Sequence, residues 1–202
     1  MRDRDLYAKL LGIESPWFVR DVDAQLEARE VEVRIGLAPN GRLSCPKCGA
    51  VCPGYDTNKR SWRHLDTMQY QTVLTADVPR GECKEHGVRQ GVVPWAEPGS
   101  RFTALFESLV IDWLSEASMS AVAKMLRMSW EGVDGVMSRA VSRGLARRES
   151  LPLRAIGVDE TSFQKRHEYV TVVFDKVGGR VVHVADDRKR STLEAYYERF
   201  SD

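Results

Sequence analysis

No stretch of about eighteen apolar residues occurs in this 202-residue chain, so no helix that crosses a membrane is expected. The N-terminus, MRDRDLYAKLLGIESP, also lacks the apolar core of a signal peptide. Charge of one sign is missing too. A net charge of +1 does not mark a nucleic-acid binder by itself, and local clustering has to carry any such argument. Internal repeats and low-complexity stretches are absent. Only four cysteines are present, and in a chain that reads as cytoplasmic they point to a metal rather than to disulfides.

What is present supports packed cores. Apolar residues make up 43% of the chain and charged residues 29%, an ordinary balance for a folded protein. The length fits one large domain or two to three small ones. The N-terminal segment reads as a short amphipathic helix with Leu6, Leu10 and Leu11 on one face. Val31–Ile35 and Thr72–Val78 alternate as half-buried strands do. Asn40-Gly41 is a turn signal, and Glu97 to Ser100 reads as a linker.

Cys45-Pro46-Lys47-Cys48 and Cys83-Lys84-Glu85-His86 dominate the first half. Each pair has the two-residue spacer that lets two side chains reach one ion. Zinc takes four such ligands in a tetrahedron, so Cys45, Cys48, Cys83 and His86 form the favoured set. With no open position for a water, the Zn2+ would be structural, and its binding would help to fold its segment. The thirty-four residues between the pairs fit a ribbon of strands with the metal at its base. Cys52 is an alternative to Cys48 or His86, or an ordinary buried thiol. His64 competes as well, though it lacks a partner at ligand spacing. Iron is the competing metal for a thiolate-rich site.

Helical periodicity takes over from Arg101 to Arg148. Phe102, Leu105, Phe106, Leu109, Val110 and Trp113 recur at three- and four-residue steps. Ser118 or Ser120 can cap a second helix over 121–126. Ser129 can cap a third, carrying Val133, Val136, Met137, Ala140 and Val141. Arg127-Met128 makes a short turn between them, which outlines a helix-turn-helix. In that motif the front of the last helix meets base edges, here Ser129, Trp130, Glu131 and Asp134. Arg139 and Arg143 farther along, with Arg147 and Arg148 in the basic connector that follows, suit phosphates. Glu131 and Asp134 also fit dipole complementation at a helix start, and a helical packing domain is the plainer alternative.

From Leu153 the chain reads as strands: 153–158, 169–174 and 180–185, with Gly178-Gly179 turning between the last two. Ser191 can cap a final helix, 192–200. Asp159 follows an apolar run, where an unpaired carboxylate is costly, so metal binding competes with a structural turn or salt bridge.

Taken in order, these parts resemble the DDE transposases of bacterial insertion sequences, of the ISL3 type. The likeness rests on Cys45-Pro46-Lys47-Cys48-Gly49, Trp62-Arg63-His64-Leu65-Asp66, and Val78-Pro79-Arg80 leading to Cys83 and His86-Gly87-Val88. It continues through the helix-turn-helix to Gly157-Val158-Asp159-Glu160-Thr161-Ser162-Phe163 and Tyr169 to Val173. The resemblance implies an α+β, multi-domain chain: a zinc-binding β-ribbon (1–98), a three-helix DNA-binding domain (101–148) and the start of an RNase H-like domain (153–202). It implies double-stranded DNA as partner, at the element's terminal inverted repeats, and a homo-oligomer on paired ends. Asp159 matches the first carboxylate of a triad that holds two Mg2+ ions for strand cleavage and transfer. The second Asp and the Glu would lie beyond Asp202. Asp175, Asp186 and Asp187 do not fill those roles, so the chain alone is expected to be inactive, as a fragment or truncated reading frame. Its expected location is the cytoplasm, on the bacterial nucleoid. The alternative function is a non-enzymatic DNA-binding regulator or transposition inhibitor.

Overall fold

The computed structural model describes residues 2–39, 41, 44–148, 153–162 and 169–198. The chain divides into two compact units, residues 1–146 and 147–202.

The first unit is built on a five-stranded sheet. Its strands are β1 (Trp17–Gln25), β2 (Glu30–Leu37), β3 (Gly54–Thr67), β4 (Tyr70–Cys83) and β5 (Gly87–Gln90). The order is β1-β2-β4-β3, with β5 also paired to β4. β2 and β4 run parallel and the other pairs antiparallel. Period-two alternation sets the faces. Val31, Val33, Ile35, Leu74, Ala76, Val78 and Trp62 point inward and are buried. The opposite face carries ion pairs, with Arg34 reaching Asp21 at 2.8 Å and Glu32 at 2.7 Å.

A segment between β5 and the first long helix closes the inner face. Its Trp95 lies edge-on between Trp17 and Trp62, at centroid separations of 5.0 and 5.4 Å. Helix α1 (Asp3–Leu10) packs on the same core, as expected, but through a different face. Tyr7, Ala8 and Leu11 touch the core, while Leu6 and Leu10 are exposed. The Tyr7 hydroxyl fixes that rotation by pairing with Thr67 Oγ1 at 2.9 Å.

Three helices follow: α2 (Ala104–Glu116), α3 (Met119–Leu126) and α4 (Trp130–Ala146). Each starts at a hydroxyl that takes a free backbone N–H. Thr103 accepts from Phe106, Ser118 from Ala121, and Ser129 from Gly132. Arg127, with φ +54°, ends α3 in the left-handed conformation and starts the turn into α4. Phe106, Val110, Val122, Val133 and Val136 form the core. Leu105 and Trp113, expected on the packed face, are exposed instead, and Glu107 is buried there. Phe102 precedes the α2 cap rather than opening the helix, and its ring stacks on Phe106.

The helices are seated on the sheet. Residues 101–103 run alongside β3, with Arg63 N–H donating to Arg101 O and Thr103 N–H to Arg63 O. Leu65 of β3 enters the helical core.

The second unit holds β6 (Ile156–Ser162), β7 (Tyr169–Asp175), β8 (Arg180–Ala185) and α5 (Arg190–Glu198). The strands form an antiparallel sheet in the order β6-β7-β8. β6 begins three residues later than expected and runs further, which places Asp159 in its middle. Gly179, with φ +61°, closes the β7–β8 turn. α5 begins at Arg190, so Ser191 lies inside its first turn. Asp187 organises that end instead, accepting from Lys189 N–H at 3.1 Å and from the Thr192 hydroxyl at 2.7 Å. The expectations placed on Asn40, Phe163, Phe200 and Asp202 lie outside the described residues.

Candidate metal centre and nucleic-acid interface

The two cysteine-containing turns meet where β4 ends. Cys45, Cys48, Cys83 and His86 bring one ligand atom each into a group in which all lie within 4.8 Å of one another. Cys48 Sγ is 3.7 Å from Cys83 Sγ, and His86 Nδ1 is 3.6 Å from Cys83 Sγ and 3.7 Å from Cys45 Sγ. Zinc at about 2.3 Å from sulfur and about 2.0 Å from nitrogen requires ligand separations of about 3.5–3.8 Å in a tetrahedron. The three thiols and the imidazole therefore fit zinc.

Backbone geometry makes each turn. Cys45 and Ala50 close the first, through Cys45 N–H to Ala50 O and Gly49 N–H to Cys45 O, both 2.8 Å. Gly49 (φ +73°) and Gly87 (φ +67°) follow the last ligand of their pairs in a conformation that favours glycine. The Cys83 thiol is pushed down to about 6 by its hydrogen bond with His86 and by the backbone N–H groups of Glu85 and His86. Those donors favour the thiolate that a metal needs.

The two competing ligands lie elsewhere. Cys52 packs against Cys45 and Cys83, but its thiol donates to Ala50 O at 3.4 Å and its sulfur is not in the group of four. Burial, then the nearby Cys83 and Cys45, push its thiol up. His64 sits at the junction of sheet and helices, buried, with Nδ1 2.8 Å from Thr103 Oγ1. Thr103 Oγ1 already accepts from Phe106 N–H, so its own proton is free to go to His64 Nδ1. Burial, helped by Arg63, lowers the His64 pKa to about 4, so the ring is neutral near pH 7.

The front of α4 is open. Trp130 is half exposed and Glu131 is exposed, and Ser129 spends its hydroxyl on the cap. Asp134 is partly covered one turn on. Three of the four arginines expected to face phosphates are engaged within the protein. Arg139 donates twice to Glu107 Oε1, at 3.0 and 2.6 Å. Arg143 reaches Glu97 at 2.8 Å and Glu107 at 3.3 Å. Arg127 pairs with Asp66, which also holds Arg63. In the second unit, Arg148 donates to the carbonyls of Val181 and Val182. Arg147, beside it, is exposed.

Glu107 escaped the sequence reading. The signal was its place on the apolar face, four residues after Thr103 and three before Val110. It is 2% exposed and also accepts from the Ser100 hydroxyl at 2.7 Å.

Asp159 pairs with Val172, which pairs with Val184. The adjacent row, Val158, Val173 and His183, points to the other face, where His183 stacks on Tyr196 of α5. Asp159 therefore stands on the face away from α5, exposed, accepting only its neighbour Glu160 N–H among the hydrogen bonds described. Gly157 leaves room on that face for the Phe174 ring, which a Cβ would approach to 2.2 Å. Asp175 is committed to the β7–β8 turn, accepting Val177 N–H at 3.0 Å and facing Arg180. Among the described residues, the Cys/His set is the only group of three or more metal-ligating side chains. Among the described residues no carboxylate cluster gathers around Asp159, and those residues do not make a two-Mg2+ site.

A zinc ribbon seated on a capped helix-turn-helix, followed by a carboxylate-bearing sheet, defines the class: a modular protein whose front half suits DNA. The comparisons agree segment by segment. Residues 42–86 match the zinc-finger of transposase IS204/IS1001/IS1096/IS1165, residues 92–141 the helix-turn-helix domain of transposase family ISL3, and residues 156–202 the transposase domain of the same family. The chain belongs to the ISL3 family of transposases. It is 31% identical to the transposase for insertion sequence element IS1557 of Mycobacterium tuberculosis, over 98% of this chain and 46% of that protein. It is 26% identical to the transposase for insertion sequence element IS1001 of Bordetella parapertussis, over 82% and 41% respectively. The chain thus spans under half the length of these relatives. No solved structure matches it.

Proposed function

We propose that this chain recognises the DNA ends of an insertion sequence, as the front of an ISL3 transposase. The observation that carries this reading is the seating of a complete zinc-ligand set and a capped helix-turn-helix in one unit. Zinc closes the ribbon at Cys45, Cys48, Cys83 and His86. The ribbon spans 1–98 with its N-terminal helix, the DNA-reading helices 101–148, and the catalytic domain begins near 153. Ser129, Trp130 and Asp134 meet the major groove, and Trp130 offers an exposed apolar edge suited to a thymine methyl. Arg147 and Arg148 approach phosphates. Two copies act on paired ends.

Asp159 is the first carboxylate of the catalytic triad. Among the described residues it gathers no metal pair, and the activity proposed for this chain is the binding of DNA ends. A gel-shift titration tests the reading. The probes are the termini of the element that encodes the chain and a scrambled duplex, at two salt concentrations. Selective binding that weakens steeply with salt is the expected result. Equal affinity for both probes, or no binding, overturns it.

A further inference from the structure

Residues 104–146 carry four cations, Lys124, Arg127, Arg139 and Arg143, against five carboxylates, Glu107, Asp112, Glu116, Glu131 and Asp134. Helices with this balance draw little affinity from phosphates themselves and leave that role to Arg147 and Arg148, which follow them. Moreover, three of the four cations are already in ion pairs: Arg127 with Asp66, Arg139 with Glu107, and Arg143 with Glu107 and Glu97.

Glu107 is the hub. It is 2% exposed, held by the Ser100 hydroxyl, and both of its oxygens are taken by arginines of α4. Glu97 and Ser100 precede α2, so the network ties the segment after the ribbon to the second half of the recognition helix. A buried carboxylate holds its partners tightly, because releasing them leaves an uncompensated charge.

We propose that Glu107 is a specificity-setting positioning residue: it withholds Arg139 and Arg143 from DNA phosphates, so that binding depends on contacts at the front of α4. Phosphate contacts add affinity for every sequence alike. Removing two arginines from that pool lowers binding to right and wrong sites alike and leaves a larger share of it to the contacts at the front of α4. The same bonds fix the orientation of α4 on α2, which keeps Trp130 and Ser129 presented to the groove. The proposal rests on the DNA-binding reading above.

The test is Glu107→Gln in the full chain. Glutamine keeps an acceptor for Ser100 and removes the charge that holds the arginines. Affinity for the scrambled duplex should rise. The ratio of terminal-repeat to scrambled binding should fall by roughly tenfold, the size of one lost base contact. The plot of log affinity against log salt should steepen by about 0.9 for each arginine that reaches a phosphate. A purely structural role would lower the melting temperature and leave that slope unchanged, and this result would overturn the proposal. If Glu107→Gln does not fold, Glu97→Gln carries the test. It loosens Arg143 from a partly exposed partner and should steepen the slope in the same direction by a smaller amount. An unchanged slope and ratio there overturns the proposal. Failure of the wild-type chain to bind either duplex overturns the DNA-binding reading itself, whereas selective wild-type binding with unaltered variants overturns only the role of Glu107.

Discussion

The ribbon and the β6–β8 sheet each carry residues suited to a metal, yet among the described residues only the ribbon assembles a site. Its four ligands lie on two short turns, each closed by a positive-φ glycine, and β4 brings the turns together. Local geometry suffices. Asp159 sits at the centre of a strand, where the pleat presents one side chain per two residues to a face, and its strand neighbours there are Val172 and Val184. A carboxylate cluster on a sheet needs other elements to complete it. A ligand pair with a two-residue spacer carries its chemistry with it, while a lone carboxylate on a strand carries only a position.

Breaking the ribbon should have the largest effect. Cys83→Ser removes one of the four ligands and with it most of an apparent zinc-binding energy of order 10 kcal/mol. The variant should purify without zinc, and amide exchange across residues 44–90 should lose its protection. Second comes the aromatic wedge that closes the sheet. Trp95→Ala empties the space between Trp17 and Trp62 and should cost about 3–5 kcal/mol in a denaturant titration. Next is the hub of the helices. Glu107→Ala leaves Arg139 and Arg143 without their buried partner and should cost about 3 kcal/mol, with the half-exposed arginine ends limiting the loss.

The seam between sheet and helices should respond to pH. Unfolded, His64 takes up a proton near pH 6.5. Folded, it resists protonation down to about 4, because it is buried beside Arg63. The unfolded chain therefore binds the extra proton in this window. Stability is held above pH 6.5 and falls as the pH drops toward 4, by about 3 kcal/mol in total. The zinc ligands also protonate in acid, so the measurement is the difference in pH-stability curves between wild type and His64→Gln. A curve difference that stays flat from pH 6.5 to 4 would contradict the assignment. The smallest effect belongs to the second unit. Asp159→Asn touches an exposed side chain and should alter stability by less than about 0.5 kcal/mol and leave end binding unchanged.

The legible parts of the chain were those encoded over short spans. The Cys45/Cys48 and Cys83/His86 spacing gave the ligand set, and the hydroxyls of Ser118 and Ser129 marked two helix starts. Partnerships over long spans were hidden. Nothing in the local pattern shows that the Tyr7 hydroxyl meets Thr67 and turns α1 away from Leu6 and Leu10. The arginines of α4 illustrate the same limit. Their spacing suits phosphates, but Glu107 lies thirty-two residues from Arg139 and competes for it. Asp187 likewise displaced Ser191 as the organiser of α5 through a contact with Thr192 five residues away. The ISL3 resemblance supplied the order of the modules, which composition and a net charge of +1 did not.

Native mass spectrometry of the intact chain tests the central contrast most directly. After dialysis against zinc and magnesium together, the wild type should retain one zinc and no magnesium, and Cys83→Ser should retain neither. A Cys83→Ser chain that still carries one zinc and folds normally would contradict the ribbon site. Magnesium retained by wild type but lost in Asp159→Asn would contradict the reading of Asp159 as a lone carboxylate.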